Sequence, residues 1–363
     1  MKNKSASQPA LICLFAVLTF AICSSPALAQ TPTPTPTTWT NATSGDWFNG
    51  ANWDNGVPTC SIDALINNGG KAEISNPNTT ACAQSLALGL NLGDSGTVTV
   101  DNVTTGGSLD VPPGCGSYTQ DIFPGVIAVG WRGTGTLNIT NGGTVTSGWG
   151  IIAGVAGQVG TSNGSVTVDG AGSTWTISSP CGAAARLFIG GHFILGDGDD
   201  PGGIALLNVT NGGTVEVDNP ANQVSVKVGP SSTLTGNGTI TTNGNGSLAT
   251  LTAVQGTLAP KGLNITKDLA FASSGTMLCN VTQGNADMVN VGDIAYLNGR
   301  LSVIMTGSFN NSITQYQLLK AVNGLNSTKF ARVLIQYPPN PNFRAQVTYD
   351  TTHVYLNLVF TNP

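Results

Sequence analysis

Thr136–Val145 reads TLNITNGGTV and Leu206–Val215 reads LLNVTNGGTV, identical at eight of ten positions. A looser copy, SVTVDGAGSTW, occupies Ser165–Trp175 between them. In each, apolar residues alternate with Thr, Asn or Ser, pass through a turn and alternate again. A period of two marks a strand with one buried face. In the first copy Leu137 and Ile139 point inward while Asn138 and Thr140 face water. Asn141, Gly142 and Gly143 supply turn residues that tolerate positive φ, and Val145 resumes the core. Leu207, Val209 and Val215 repeat those core positions. One such unit cannot bury its own inner face, so several must stack.

Working outward, a short apolar segment ending in Gly recurs at Leu86–Gly89, Ile127–Gly130, Ile151–Gly154, Leu187–Gly190 and Val226–Gly229, with glycine spacings of 41, 24, 36 and 39. The shortest interval holds IAVG, TLNIT and TVTS. Three short strands per interval predict a triangular coil, the rung of a parallel β-helix. A sandwich of hairpins is the rival fold, because Asn-Gly also marks hairpins. The longer intervals carry extra loop at Pro112–Pro124 and Asp197–Gly203, and such insertions fall outside a regular stack.

Composition agrees with an all-β chain. The 363 residues include 48 Gly and 19 Pro and only 9% charged residues, which disfavours helix. Residues 1–29 read as a secretory signal peptide. Lys2 and Lys4 form its basic start, Ala10–Cys23 an apolar run too short to span a membrane comfortably, and Ala27-Leu28-Ala29 a cleavage site. Its removal changes the formal charge from −5 to −7. With no basic cluster, nucleic acid is excluded as a partner, and the mature chain is expected to carry no membrane helix.

Residues 30–38 are a Thr/Pro linker. Residues 39–85 form a Trp-rich N-terminal cap, 86–261 the repeats and 262–363 a C-terminal β-rich section. In that last section strands are expected at Leu269–Phe271, Met277–Val281, Met288–Val291, Leu301–Met305, Tyr316–Ala321, Gln346–Tyr349 and Val354–Phe360.

Few residues offer chemistry. In an exported protein Cys60–Cys82 and Cys115–Cys181 are disulfide candidates, which leaves Cys279 as a buried thiol; no CxxC pair suggests zinc. Trp39, Trp47 and Trp53 read as filling for the exposed end of the stack, or as an aromatic platform for sugars. Asp197, Asp199 and Asp200 lie in a Gly-rich loop and could bind calcium, a hard cation that takes oxygen ligands, although the spacing is not that of an EF-hand. The same acids, with Arg186 and His192 nearby, could serve a polysaccharide-cleaving β-helix. His192 and His353 are far apart and read as ordinary residues. No cofactor is implied.

TLNITNGGTV followed by VTVDGAGSTWT resembles the β-strand repeats of autotransporter passengers and related exported bacterial surface proteins. TWTNATSGDWFNGANWDNGVP resembles the segment that leads into such repeats. TLTGNGTI, GTLAP and DMVNVGDIAYLNGRLSV resemble the C-terminal part of such passengers. The resemblance covers residues 39 to 360. It implies a right-handed parallel β-helix on the outside of a bacterial cell, and it carries over no catalytic residues. The chain departs from the family in two ways: it shows no translocator barrel, and its mature part holds five cysteines, whose disulfides would hinder threading through a narrow pore. Both favour simple export, or delivery by another system, over self-transport.

The expectation is a non-enzymatic, secreted or cell-surface protein with a structural or adhesive role, contacting cells, matrix or glycans. The alternatives are the polysaccharide-degrading enzyme and an envelope component that self-associates through an exposed terminal coil.

Overall fold

A computed structural model describes residues 34–76, 78–102, 106–114, 124–154, 162–179, 185–191, 202–219, 224–244, 250–339 and 342–360. Among these there are 33 strands, a single-turn 3-10 segment at Gly50–Asn52 and no α-helix. The strands form three sheets of 10, 12 and 11 members. The chain visits them in rotation. Val126–Val129 lies in the first sheet, Thr134–Thr140 in the second and Thr144–Ser147 in the third; Trp149–Ile152 then returns to the first, parallel to Val126–Val129. This is a parallel β-helix with three short strands per coil. A hairpin sandwich would need antiparallel neighbours, and these are parallel.

The repeated phrase fixes the register. Leu137 lies beside Val166 and Val166 beside Leu207, so the two close copies flank the looser one in consecutive coils of the second sheet. All six expected core positions, Leu137, Ile139, Val145, Leu207, Val209 and Val215, are buried. At the corner, Asn141 and Gly142 adopt φ of 52° and 85°, and Asn211 and Gly212 adopt 51° and 86°. Asn is among the few residues with a Cβ that tolerate this region. The Asn side chains also bind back into the stack. Asn141 Nδ2 donates to Asp101 at 3.1 Å, and Asn211 Nδ2 donates to Asp169 at 2.7 Å. Carboxylates at the strand ends are thereby satisfied by amides of the next corner.

The stack extends beyond the segment that reads as repeats. Ala64–Ile66, Asn68–Ile74 and Thr80–Cys82 already make one strand for each sheet, parallel to their successors. Nor is there a break at 261/262. Leu263–Ile265, Asp268–Phe271, Thr276–Thr282, Val289–Val291, Ala295–Tyr296 and Arg300–Met305 continue the three ladders in parallel. Sequence similarity fades there while hydrogen bonding and inward apolar positions persist. Antiparallel pairing closes the third sheet only near the end, where His353–Phe360 lies between Gln315–Ala321 and Phe343–Tyr349. The second sheet ends on a strand at Arg332–Gln336, parallel to Arg300–Met305.

Aromatic rings fill both ends of the core. Trp53 packs edge-on against Trp39 at 5.0 Å and against Trp47 at 4.9 Å. At the other end Phe343 packs against Phe309 at 5.2 Å and Phe360 at 5.5 Å. Such pairs add to the burial of their own area.

Candidate functional site

The three sheets differ on their outer faces. Second- and third-sheet strands alternate, as in Thr174–Ser178, whose inward Trp175 and Ile177 are buried between half-buried neighbours. First-sheet strands of the middle coils do not. Val126–Val129 and Trp149–Ile152 are buried at every position, and so are three of the four residues of Arg186–Ile189. Their inward residues join the main core. Their outward residues, Val126, Ala128, Trp149, Ile151 and Phe188, form a second apolar cluster with Trp131.

Register builds this cluster. Val126, Trp149 and Arg186 lie side by side in one outward column, and Ala128, Ile151 and Phe188 in the next. Trp149 stacks on Phe188 with centroids 6.0 Å apart and planes 23° apart, and the Arg186 guanidinium carbon lies 5.7 Å from the Phe188 centroid. That contact is a cation–π arrangement. Inside, Gly150 leaves room for the Trp175 indole, since a Cβ there would lie 2.7 Å from the ring. Trp175 Nε1 donates to Ser147 Oγ at 3.0 Å.

Four segments that leave the repeat pattern lie next in sequence to strands of this same sheet. Segments 115–123 and 180–184 immediately precede the strands Val126–Val129 and Arg186–Ile189, while 155–161 and 192–201 follow Trp149–Ile152 and Arg186–Ile189. Connections of a repeat scaffold are where binding residues concentrate.

Trp39, Trp47 and Trp53 are corrected as a sugar platform. They are 1%, 0% and 4% exposed, so no ring face is open to a ligand; Trp53 Nε1 is turned inward, donating to the Trp47 carbonyl at 2.8 Å. Cys60 and Cys82 form a disulfide, tying the loop after Pro58 to the third-sheet strand Thr80–Cys82. Cys279 is a buried free thiol. His353 opens the strand His353–Phe360: its backbone N–H donates to Asp350 Oδ1 at 2.6 Å and its ring stacks on Tyr355. Arg186 joins the aromatic cluster. Cys115, Cys181, His192 and the acidic triad Asp197, Asp199 and Asp200 lie outside the described residues, as does the leader. Among the described residues no three His, Cys, Asp or Glu side chains are grouped to hold a metal ion, and no helix is long and apolar enough to cross a membrane.

Comparison with protein-family models and with curated proteins found no match. The outward cluster is the feature that the repeat reading missed. Its signal was present in VIAV and WGII, where apolar residues occupy successive positions instead of alternating ones. Such runs mark strands buried on both faces.

Proposed function

We propose that this chain is an exported, non-enzymatic β-helix protein, held at or released from a bacterial surface, that works by adhesion to cells, matrix or glycans. Residues 1–29 act as its signal peptide; the expected linker 30–38 is pinned to the stack at its end, where Thr37–Thr38 pairs with Ala64–Ile66. The carrying observation is the outward apolar cluster of Val126, Ala128, Trp131, Trp149, Ile151 and Phe188 on the first sheet, whose strands the segments 115–123, 155–161, 180–184 and 192–201 adjoin in sequence. A rigid stack with long insertions next in sequence to the strands of one sheet suits recognition. The resemblance of the repeats to autotransporter passengers supports the extracellular setting.

The test is binding of purified residues 30–363 to whole cells, matrix proteins and immobilised glycans. A second protein carries short Gly-Ser turns in place of 115–123 and 192–201. The expected result is adhesion by the parent and its loss in the replacement, with the melting curve retained. No binding by the parent overturns adhesion and leaves a structural role. Release of sugar from a polysaccharide, abolished when Asp197, Asp199 and Asp200 become Asn, would replace it with the enzyme reading.

A further inference from the structure

The stack is charged unevenly along its length. Residues 34–226 hold 14 acidic and 3 basic side chains, whereas residues 227–363 hold 4 acidic and 8 basic. The basic excess reaches the open end of the second sheet. Arg332 lies directly beside Arg300 in the ladder, both are exposed, and among the described residues no carboxylate forms an ion pair with either. Like charges placed side by side in a sheet repel, so this pair favours an incoming anion.

The strand Arg332–Gln336 also has a free edge. It pairs with Arg300–Met305 and with no other strand among the described residues. Arg332 N–H donates to the Gly299 carbonyl. In a parallel ladder alternate residues face alternate sides, so the N–H and C=O groups of Val333 and Ile335 point to the open side. Val333 and Leu334 are 43% and 57% exposed, although Val333 adjoins the fully buried Leu301 on the core face. An unpaired edge with apolar side chains is a template for another strand.

Three of the other sheet ends are closed by side chains. At the start of the second sheet, Asn52 Nδ2 donates to the Asp46 carbonyl at 2.9 Å and Asn41 Nδ2 to the Ser44 carbonyl at 3.3 Å. At the start of the first, Thr38 N–H donates to Asp54 Oδ1 at 2.7 Å. At its end, Leu297 N–H donates to Thr328 Oγ1 at 2.7 Å. The blunted start of the second sheet opposes head-to-tail addition of a second copy. Antiparallel pairing of Arg332–Gln336 with itself would gather four arginines on one face.

We propose that Arg332–Gln336 is a docking edge for an extended acidic segment of a partner protein, which adds as a further strand. Its carboxylates would meet Arg332 and Arg300, and its apolar residues would cover Val333 and Ile335. The experiment titrates the full mature chain with a fluorescent eight-residue peptide of alternating Glu and Val, read by anisotropy. A Lys and Val peptide is the control. The Glu peptide is expected to bind, with affinity falling as salt rises. Arg332→Glu should weaken it by about tenfold or more, and Val333→Pro, which removes an edge donor without touching the existing ladder, should abolish it. Circular dichroism of both variants verifies the fold. The proposal is overturned if the Glu peptide does not bind, if the Lys peptide binds equally, or if Arg332→Glu leaves affinity unchanged while folded. Sedimentation supplies another way to sink it: a dimer dissolved by Val333→Pro would mean that the edge is already taken by a second copy.

Discussion

Cys279 sits within the second-sheet strand Thr276–Thr282 with its side chain in the core, and burial, with Asp287 adding to it, pushes its thiol well above the ordinary value. The thiolate is the reactive form, so the folded protein should leave Cys279 unmodified by iodoacetamide at pH 8, while denaturant exposes it. Peptide mapping by mass spectrometry checks this at the single residue; rapid labelling of the native protein would contradict the burial. Asp350 behaves in the opposite sense. The N–H of Thr352, then that of His353, donates to its carboxylate and holds its pKa down at about 2. A folded value below the unfolded one adds stability that is complete above the unfolded carboxylate range and is lost as pH falls through about 2. The turn at 350–353 should therefore keep its amide protection at pH 5 and lose it towards about pH 2, visible in the exchange rates of the Thr352 and His353 amides. Protection that ended near pH 4 would mean that the carboxylate is not held by those donors.

At the scale of the strand and its corner, close backbone approach is as restrictive as the apolar pattern. Gly130 follows Val126–Val129 with φ of 73°, and a Cβ there would lie 2.0 Å from the Asn163 carbonyl of the next coil. Gly130→Ala should cost roughly 1–3 kcal/mol, measured as a shift in denaturant midpoint. A neutral result would mean that the corner can rearrange. The glycine of IAVG was legible as a recurring stop, and TLNITNGGTV gave strand, corner and core. The repeats did not show where coils persist without them. Val289–Val291 and Ala295–Tyr296 are too short to display a period, yet they continue the ladders. Arg332–Gln336 escaped notice for another reason. Its Val-Leu-Ile run lacks alternation because an end strand is not obliged to have one wet and one dry face. The runs VIAV and WGII signal the outward cluster, but the contact of Trp149 with Phe188 in the adjacent coil follows only once register is known.

For the stack as a whole, each coil touches mainly the coil before and after it, so stability is close to a sum of local terms. Replacing 155–161 and 180–184 by short Gly-Ser turns should move the melting temperature by only a few degrees. A collapse of the fold would show that these segments complete the core instead of decorating it. The same nearest-neighbour bonding bears on force. Strands in successive coils are about 4.8 Å apart, whereas a released coil of 24 residues can extend to about 80 Å. A pull applied to the C-terminal end would first strain the antiparallel strands Phe343–Tyr349 and His353–Phe360, and then peel the ladders a coil at a time. A tether built this way yields in steps, lengthening under load while the coils nearer Trp39, Trp47 and Trp53 remain folded.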